Sequence, residues 1–210
     1  MSEQRKMLLL TGPQGAGNHL WSKIFSLHPD VYGWKSLLDN YWEAHRFAEP
    51  FCKHWRDHSM LADFDWTQSK YFFTSISCPL GILEKKWMPD VAGFAQAAEQ
   101  QGVDVQIAVC GRDQTILNFQ QTRVRHESTV PLFFKQLPTF NSPIFLSYEL
   151  LYMYKQDYLK SLSLNIPVAW DNKQLDEILN LDANQRYIHA ADATIIDQCN
   201  ATGVPLVKLP

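Results

Sequence analysis

Apolar and polar positions follow two rhythms along this chain. Residues 7–11, MLLLT, form an unbroken run with a single polar end, the pattern of a short strand buried on both faces of a parallel sheet. From Asn18 the period lengthens. Leu20, Ile24 and Leu27, with Trp21 and Phe25 beside them, trace one face of a helix. His28-Pro29-Asp30 ends that helix, because the residue before a proline resists helical dihedrals. The aromatic and β-branched stretch KYFFTSIS at 70–77 predicts a second strand. VDVQIAVCG, with Val105, Ile107 and Val109, predicts a third, and 144–147 a fourth.

Helical patterns fill the intervals. Ser36 stands as an N-cap with Asp39 three residues on, which predicts a helix to about Ala48; Pro50 opens a second short helical stretch to roughly Leu61. MPDVAGFAQAAEQQG reads as a helix with Pro89 near its first turn and Gly102 beyond its end. RDQTILNFQQTRVR is helical again, entered from Asp113 or Thr115. A linker with the apolar patch VPLFFKQL follows. Further helices are predicted at 157–164, 172–179 and 193–200, and the terminal VPLVKL reads as an edge strand. Strands alternating with helices predict an α/β fold, a central and mainly parallel sheet covered on both faces. Ligands of such sheets collect at the carboxyl ends of the strands, where 12–19 and 110–115 would both lie.

Composition narrows the class. The 210 residues are 46% apolar and 20% charged, enough to bury a core and unlike a disordered chain. With 19 Lys and Arg against 22 Asp and Glu, the net charge of -3 gives no bulk attraction to nucleic acid or acidic membranes, and neither is expected as a partner. Cys52, Cys78, Cys110 and Cys199 are scattered, without C-x-x-C or zinc spacing. MSEQRKMLLLTG has too short an apolar run for a secretory signal, and no run approaches the ~20 apolar residues of a membrane helix. The expectation is a soluble cytoplasmic protein with reduced thiols. His54 and His58 stand at i, i+4, yet no acidic third ligand accompanies them, so no metal is expected.

The chemistry concentrates in TGPQGAGNHLW. Gly12 and Gly17 have the spacing G-x-x-x-x-G of a phosphate-binding loop between a strand and a helix, but Asn18 and His19 occupy the places of its usual lysine and Ser/Thr. Backbone N–H groups of such a turn, with the helix N-terminus, hold an anion whatever side chains follow. The lysine and hydroxyl serve β/γ-phosphates and Mg²⁺. A ligand with one phosphate there and no metal leaves both positions free to change, and Asn18 and His19 can still donate hydrogen bonds.

This loop resembles that of the P-loop sulfotransferases, which use 3′-phosphoadenylyl sulfate (PAPS). Their 5′-phosphosulfate loop reads like T-G-x-x-[KR]-[ST]-G-T-x-L. TGPQGAGNHLW overlays on it with Gly17 as the glycine, and LWSKIFSLHPDVYGW looks like the helix and H-P turn that follow. VQIAVCGRDQTILNFQQTR is similar to the family's 3′-phosphate site, with Arg112 and Asp113 at its start and Gln120, with Asn118 nearby, close to the serine position. IFLSYELLYMYKQDYLKSLSLNIPV looks like a later strand, Y-E-x-L segment and helix. Together these marks span most of the chain in order. The resemblance implies one sulfotransferase-like domain over 1–210, a three-layer P-loop fold with a helical cap or acceptor insertion at about 36–66. It implies PAPS as donor, 3′,5′-ADP as product, no metal, and a small-molecule or carbohydrate acceptor with a hydroxyl or amine. Gly15, Ala16, Gly17, Asn18 and His19 would hold the 5′-phosphosulfate, and Arg112 with Asn118 or Gln120 the 3′-phosphate.

Departures from the family pattern fall on the catalytic positions. Gly15 stands where the family has Lys or Arg, SISCPLG replaces a K-x-H-x-P strand end, and Lys35 occupies the region where some members place a glutamate. His45 as base, Asp39 as an orienting or proton-accepting carboxylate, and Lys35 as replacement charge are the candidates. The segment 40–66, rich in Trp, His, Arg and Lys, reads either as an acceptor-holding cap or as a satellite core built on Trp42, Trp55 and Trp66. A degenerate P-loop kinase and a non-catalytic nucleotide-binding module remain alternatives.

Overall fold

The structure is a computed structural model that describes residues 4–82 and 85–180. Strand β1 (Arg5–Gly12) leads through a tight loop into helix α1 (Asn18–Ser26), then to the two-residue strand β2 (Val31–Tyr32). A short helix α2 (His45–Ala48) lies among 3-10 turns before β3 (Tyr71–Ser77). A hairpin of β4 (Leu80–Ile82) and β5 (Lys85–Trp87) precedes α3 (Val91–Glu99) and β6 (Val103–Gly111). Then come α4 (Gln114–Arg125), α5 (Val130–Gln136), β7 (Ile144–Ser147), α6 (Tyr148–Ser161) and α7 (Lys173–Asn180).

The central sheet has the order β2-β3-β1-β6-β7, and every pairing in it is parallel. Period-two alternation along β1 divides the core. Leu8 and Leu10 face Trp21, Ile24 and Phe25 of α1, with α6 and α7 completing that layer. Met7 and Leu9 face the other way, toward Phe94 of α3, Phe133 of α5, and Phe51, Trp55 and Trp66. This is the α/β arrangement expected, with helices on both faces of a parallel sheet. From β1 the chain leaves for the β2 edge, whereas from β6 it leaves for the β7 edge. The loops after the two central strands therefore diverge and open a crevice between their carboxyl ends.

Several expected elements differ. Residues 36–48 do not form one helix: a 3-10 turn at Lys35–Asp39 and the four residues of α2 stand there instead. The reason is Glu43, whose carboxylate accepts from Trp34 Nε1, Ser36 Oγ and Asn40 Nδ2 and gathers the chain into a loop. Between Pro50 and Leu61 there are turns and a 3-10 helix at His58–Ala62. VPLFFKQL is α5 rather than linker, because Pro131 fits the first turn of a helix. The helix expected from Asp157 begins at Tyr148, capped by Ser147 Oγ, and is broken at Lys155, whose φ is 47°. Of the three tryptophans, Trp55 and Trp66 are core while Trp42 is 63% exposed, so the satellite-core reading holds for two of them. The helix expected at 193–200 and the terminal edge strand lie outside the described residues.

Candidate functional site

The loop after β1 owes its shape to glycines. Gly15 and Gly17 adopt φ of 90° and 100°, a left-handed conformation that side chains with a Cβ resist. Gly12 is required for a different reason. A Cβ there would sit 2.5 Å from Cys110 Sγ and 2.6 Å from the Cys110 carbonyl, so β1 and β6 approach too closely for any side chain. Gln121, fully buried on α4, donates from Nε2 to the Gln14 carbonyl at 2.6 Å while its Oε1 accepts from Thr129 N–H at 2.6 Å. The loop is thereby anchored from the opposite flank of β6.

Gly17 caps α1 without a side-chain bond, and the first helical bond runs from Trp21 N–H to the Gly17 carbonyl at 3.1 Å. The amides of Asn18, His19 and Leu20 thus precede the helical ladder, and all three residues line a cavity of about 790 Å³. Gln14, Gly15 and Gly17 line it as well, together with Arg112 and Gln120 from the β6 side. Ala16 does not: it is fully buried and its amide donates to the Pro13 carbonyl within the turn.

Arg112, at the end of β6, is almost fully buried. Its Nη1 donates to the Gly15 carbonyl at 3.2 Å and to Gln120 Oε1 at 3.3 Å, and its guanidinium lies 4.9 Å from the centre of the Tyr148 ring. A Cβ on Gly15 would stand 2.9 Å from Gln120 Oε1. Loop, arginine and glutamine are therefore packed as one unit. Asn118 points elsewhere, accepting from Ser128 Oγ at 2.7 Å on the exposed side of α4.

The polar side chains that replace the lysine and Ser/Thr are held by protein. Asn18 Nδ2 donates to Ser77 Oγ at 2.7 Å and its Oδ1 accepts from Cys110 Sγ at 2.6 Å, tying the helix start to the ends of β3 and β6. His19 Nε2 lies 2.7 Å from the Glu43 carbonyl. A carbonyl only accepts, so Nε2 carries the proton and Nδ1 the lone pair. Asn18 and His19 thus offer the site their backbone amides more than their side chains.

His45 is buried and also lines the cavity, its ring edge-on to His19 with 4.8 Å between centroids. Its tautomer follows from a chain of hydroxyls. Ser22 Oγ lies 2.7 Å from the Asn18 carbonyl and 2.9 Å from Ser75 Oγ, which in turn is 3.4 Å from His45 Nε2. The carbonyl takes the Ser22 hydrogen, Ser22 takes the Ser75 hydrogen, and His45 Nε2 must donate, leaving Nδ1 basic. Burial, and then the proximity of His19, hold the His45 pKa well below the ordinary imidazole value. His19 is lowered by burial first, with Lys23 adding to the effect. Both rings are neutral at pH 7.

Lys35 and Asp39 are not brought to the loop. Lys35 Nζ donates to the carbonyls of Ser26 and His28, each at 2.7 Å, and so caps the carboxyl end of α1, away from the glycine turn. Asp39 is exposed, does not line the cavity, and acts electrostatically on Lys23. Two cations that sequence reasoning missed do line it, Lys23 and Arg46. Lys23 had a legible signal, standing four residues after His19 on the same helical face. Arg46 had only the Arg- and Lys-rich composition of the 40–66 segment, since it arrives through the loop around Glu43. Among the described residues no Asp or Glu belongs to the lining, so that lining carries only positive formal charge in a chain of net charge -3.

His54 and His58 pack against aromatic rings, His54 on Phe51 and Phe64, His58 on Phe94. Among the described residues no group of three His, Cys, Asp or Glu is placed to hold a metal, and no helix is long and apolar enough to cross a membrane. Comparison with protein-family models, curated proteins and solved structures finds no match to this chain.

Proposed function

We propose that this protein binds PAPS on the loop after β1 and transfers its sulfuryl group to a hydroxyl or amine acceptor. The observation that carries the reading is the cavity itself. It joins a glycine turn, the amides ahead of the helical ladder and a buried arginine at the crevice of a parallel sheet, with cations and, among the described residues, no carboxylate in its lining. The backbone amides at the start of α1 bind the phosphosulfate, and Arg112, steadied by Gln120 and Tyr148, takes the 3′-phosphate through its planar fork. In the transfer, the acceptor oxygen or nitrogen forms a bond to sulfur as the bond from sulfur to the bridging phosphate oxygen breaks. The acceptor proton passes to Nδ1 of neutral His45, and 3′,5′-ADP leaves. Catalysis rests on alignment and charge stabilisation, as in loose phosphoryl transfer.

A second reading, a nucleotide-binding module without turnover, is favoured by one placement: Lys35 caps α1 instead of supplying the charge that Gly15 lacks. A kinase reading is weakened by Asn18, whose side chain is committed to Ser77 and Cys110 where a lysine would reach phosphates. Isothermal titration with 3′,5′-ADP and with ATP-Mg²⁺ separates the three. Tight metal-independent binding of 3′,5′-ADP is expected; preference for ATP-Mg²⁺ overturns the proposal in favour of the kinase. Binding of 3′,5′-ADP with no sulfuryl transfer to any of a panel of alcohols, amines and glycosides leaves the inert module.

A further inference from the structure

Two cations besides Arg112 line the cavity, and the proposed donor contacts do not include them. Lys23, from the second turn of α1, and Arg46, from α2, line it together with His19, His45 and Trp42. Both cations are only half-buried, and among the described residues neither has a carboxylate within ion-pair distance. The nearby acids are otherwise engaged or displaced. Glu43 gives its oxygens to Trp34, Ser36 and Asn40, and Asp39, which attracts Lys23 electrostatically, stays beyond ion-pair distance and outside the lining. Trp42, in the same lining, is stacked on His19, 6.0 Å between centroids at 25°, yet remains 63% exposed, with Tyr41 exposed beside it.

This juxtaposition decides the kind of acceptor. The exposed Trp42 ring, stacked on His19, offers a platform for a sugar or aryl face. A neutral acceptor on that platform would strip water from Lys23 and Arg46 and return nothing, whereas an anionic one would pair with them. We infer that the acceptor is an acidic ring compound, of the chemistry of a uronic acid glycoside, with its ring on Trp42 and its carboxylate at Lys23 and Arg46. The inference rests on the reading of the cavity as a donor and acceptor site.

Two probes that differ by one carboxylate test it: 4-nitrophenyl β-glucuronide and 4-nitrophenyl β-glucoside, each titrated into the protein in the presence of 3′,5′-ADP. The glucuronide is expected to bind about tenfold more tightly, with an advantage that shrinks as NaCl rises. A Lys23→Ala/Arg46→Ala double variant, with folding checked by its thermal transition, loses that advantage. Trp42→Ala weakens both glycosides together. Equal affinities, an advantage that survives the double variant, or absence of glucuronide binding overturns the inference while 3′,5′-ADP still binds. A glucuronide preference in a protein that fails to bind 3′,5′-ADP sustains the role of Lys23 and Arg46 and overturns the donor reading alone.

Discussion

His19 and His45 meet edge to face, 4.8 Å apart at their centroids, with both imidazoles neutral and each Nε2 engaged as a donor. The arrangement sets the acid limb of folding stability. Both pKa values are lowered by burial, so below about pH 6.5 the unfolded chain takes up protons that the folded chain refuses. Stability therefore falls as pH falls through that range. A His45→Gln variant, whose amide can still donate to Ser75, removes one of the two groups. Urea unfolding at pH 5, 6, 7 and 8 should show the wild type losing up to about 1.4 kcal/mol per pH unit relative to the variant below pH 6.5. Parallel pH profiles would contradict the neutral assignment of His45.

Glu49 works in the opposite sense. Its carboxylate accepts from Thr74 Oγ1 at 2.7 Å and from Phe51 N–H at 2.8 Å, yet complete burial pushes its pKa up from 4.5 to about 8. The folded state then holds a proton that the unfolded state has released between those values, and stability is lost as pH rises through about 8. Glu49→Gln cannot ionise, so it should gain stability relative to wild type between pH 5 and pH 9. Differences that stay constant over that range would mean the charged form is the native one.

Arg112→Ala tests the 3′-phosphate role proposed for this residue. A charge-assisted bond of about 1.5–3 kcal/mol corresponds to roughly 10- to 100-fold in affinity. The loss should fall on 3′,5′-ADP and spare 5′-AMP, measured by calorimetry. If both nucleotides weaken equally, the arginine acts on the loop through its bond to the Gly15 carbonyl rather than on the ligand.

Asn18→Leu keeps nearly the same volume but removes both ties between the helix start and the strand ends. It leaves Ser77 Oγ without its donor and the buried Cys110 thiol without its acceptor. The expected cost is about 2 kcal/mol in chemical denaturation. A change below about 0.5 kcal/mol would show that Asn18 contributes chiefly through its backbone.

How much of this was legible depends on whether an element is decided locally. β1, α1, β3 and β6 follow from unbroken apolar runs or a clean 3.6-residue stripe, and the glycines announce the turn between the first two. β2 is two residues long, too short for any periodicity. The 36–48 segment misleads because Leu37 is buried while Trp42 and Phe47 are exposed, so its large side chains do not share a face. The start of α6 lies in YELLYMY, a stretch that predicts no element because its aromatic residues leave no clean apolar stripe, and the helix breaks at Lys155. In the site, the loop, Arg112 and Gln120 were visible. Lys35 was misplaced because sequence position does not tell which end of α1 a flexible ammonium will reach. Arg46 could not be singled out within the basic, aromatic 40–66 segment, because convergence through the Glu43 loop is a tertiary event.

The bond from Gln121 to the Gln14 carbonyl makes the curvature of the glycine turn a property inherited from α4. Under the proposed anion-binding role, engineering that leaves every residue from 12 to 19 untouched would therefore detune affinity, simply by altering an amide on another element. A transplanted loop would arrive without its buttress, so the smallest portable unit of this pocket includes a helix about a hundred residues downstream.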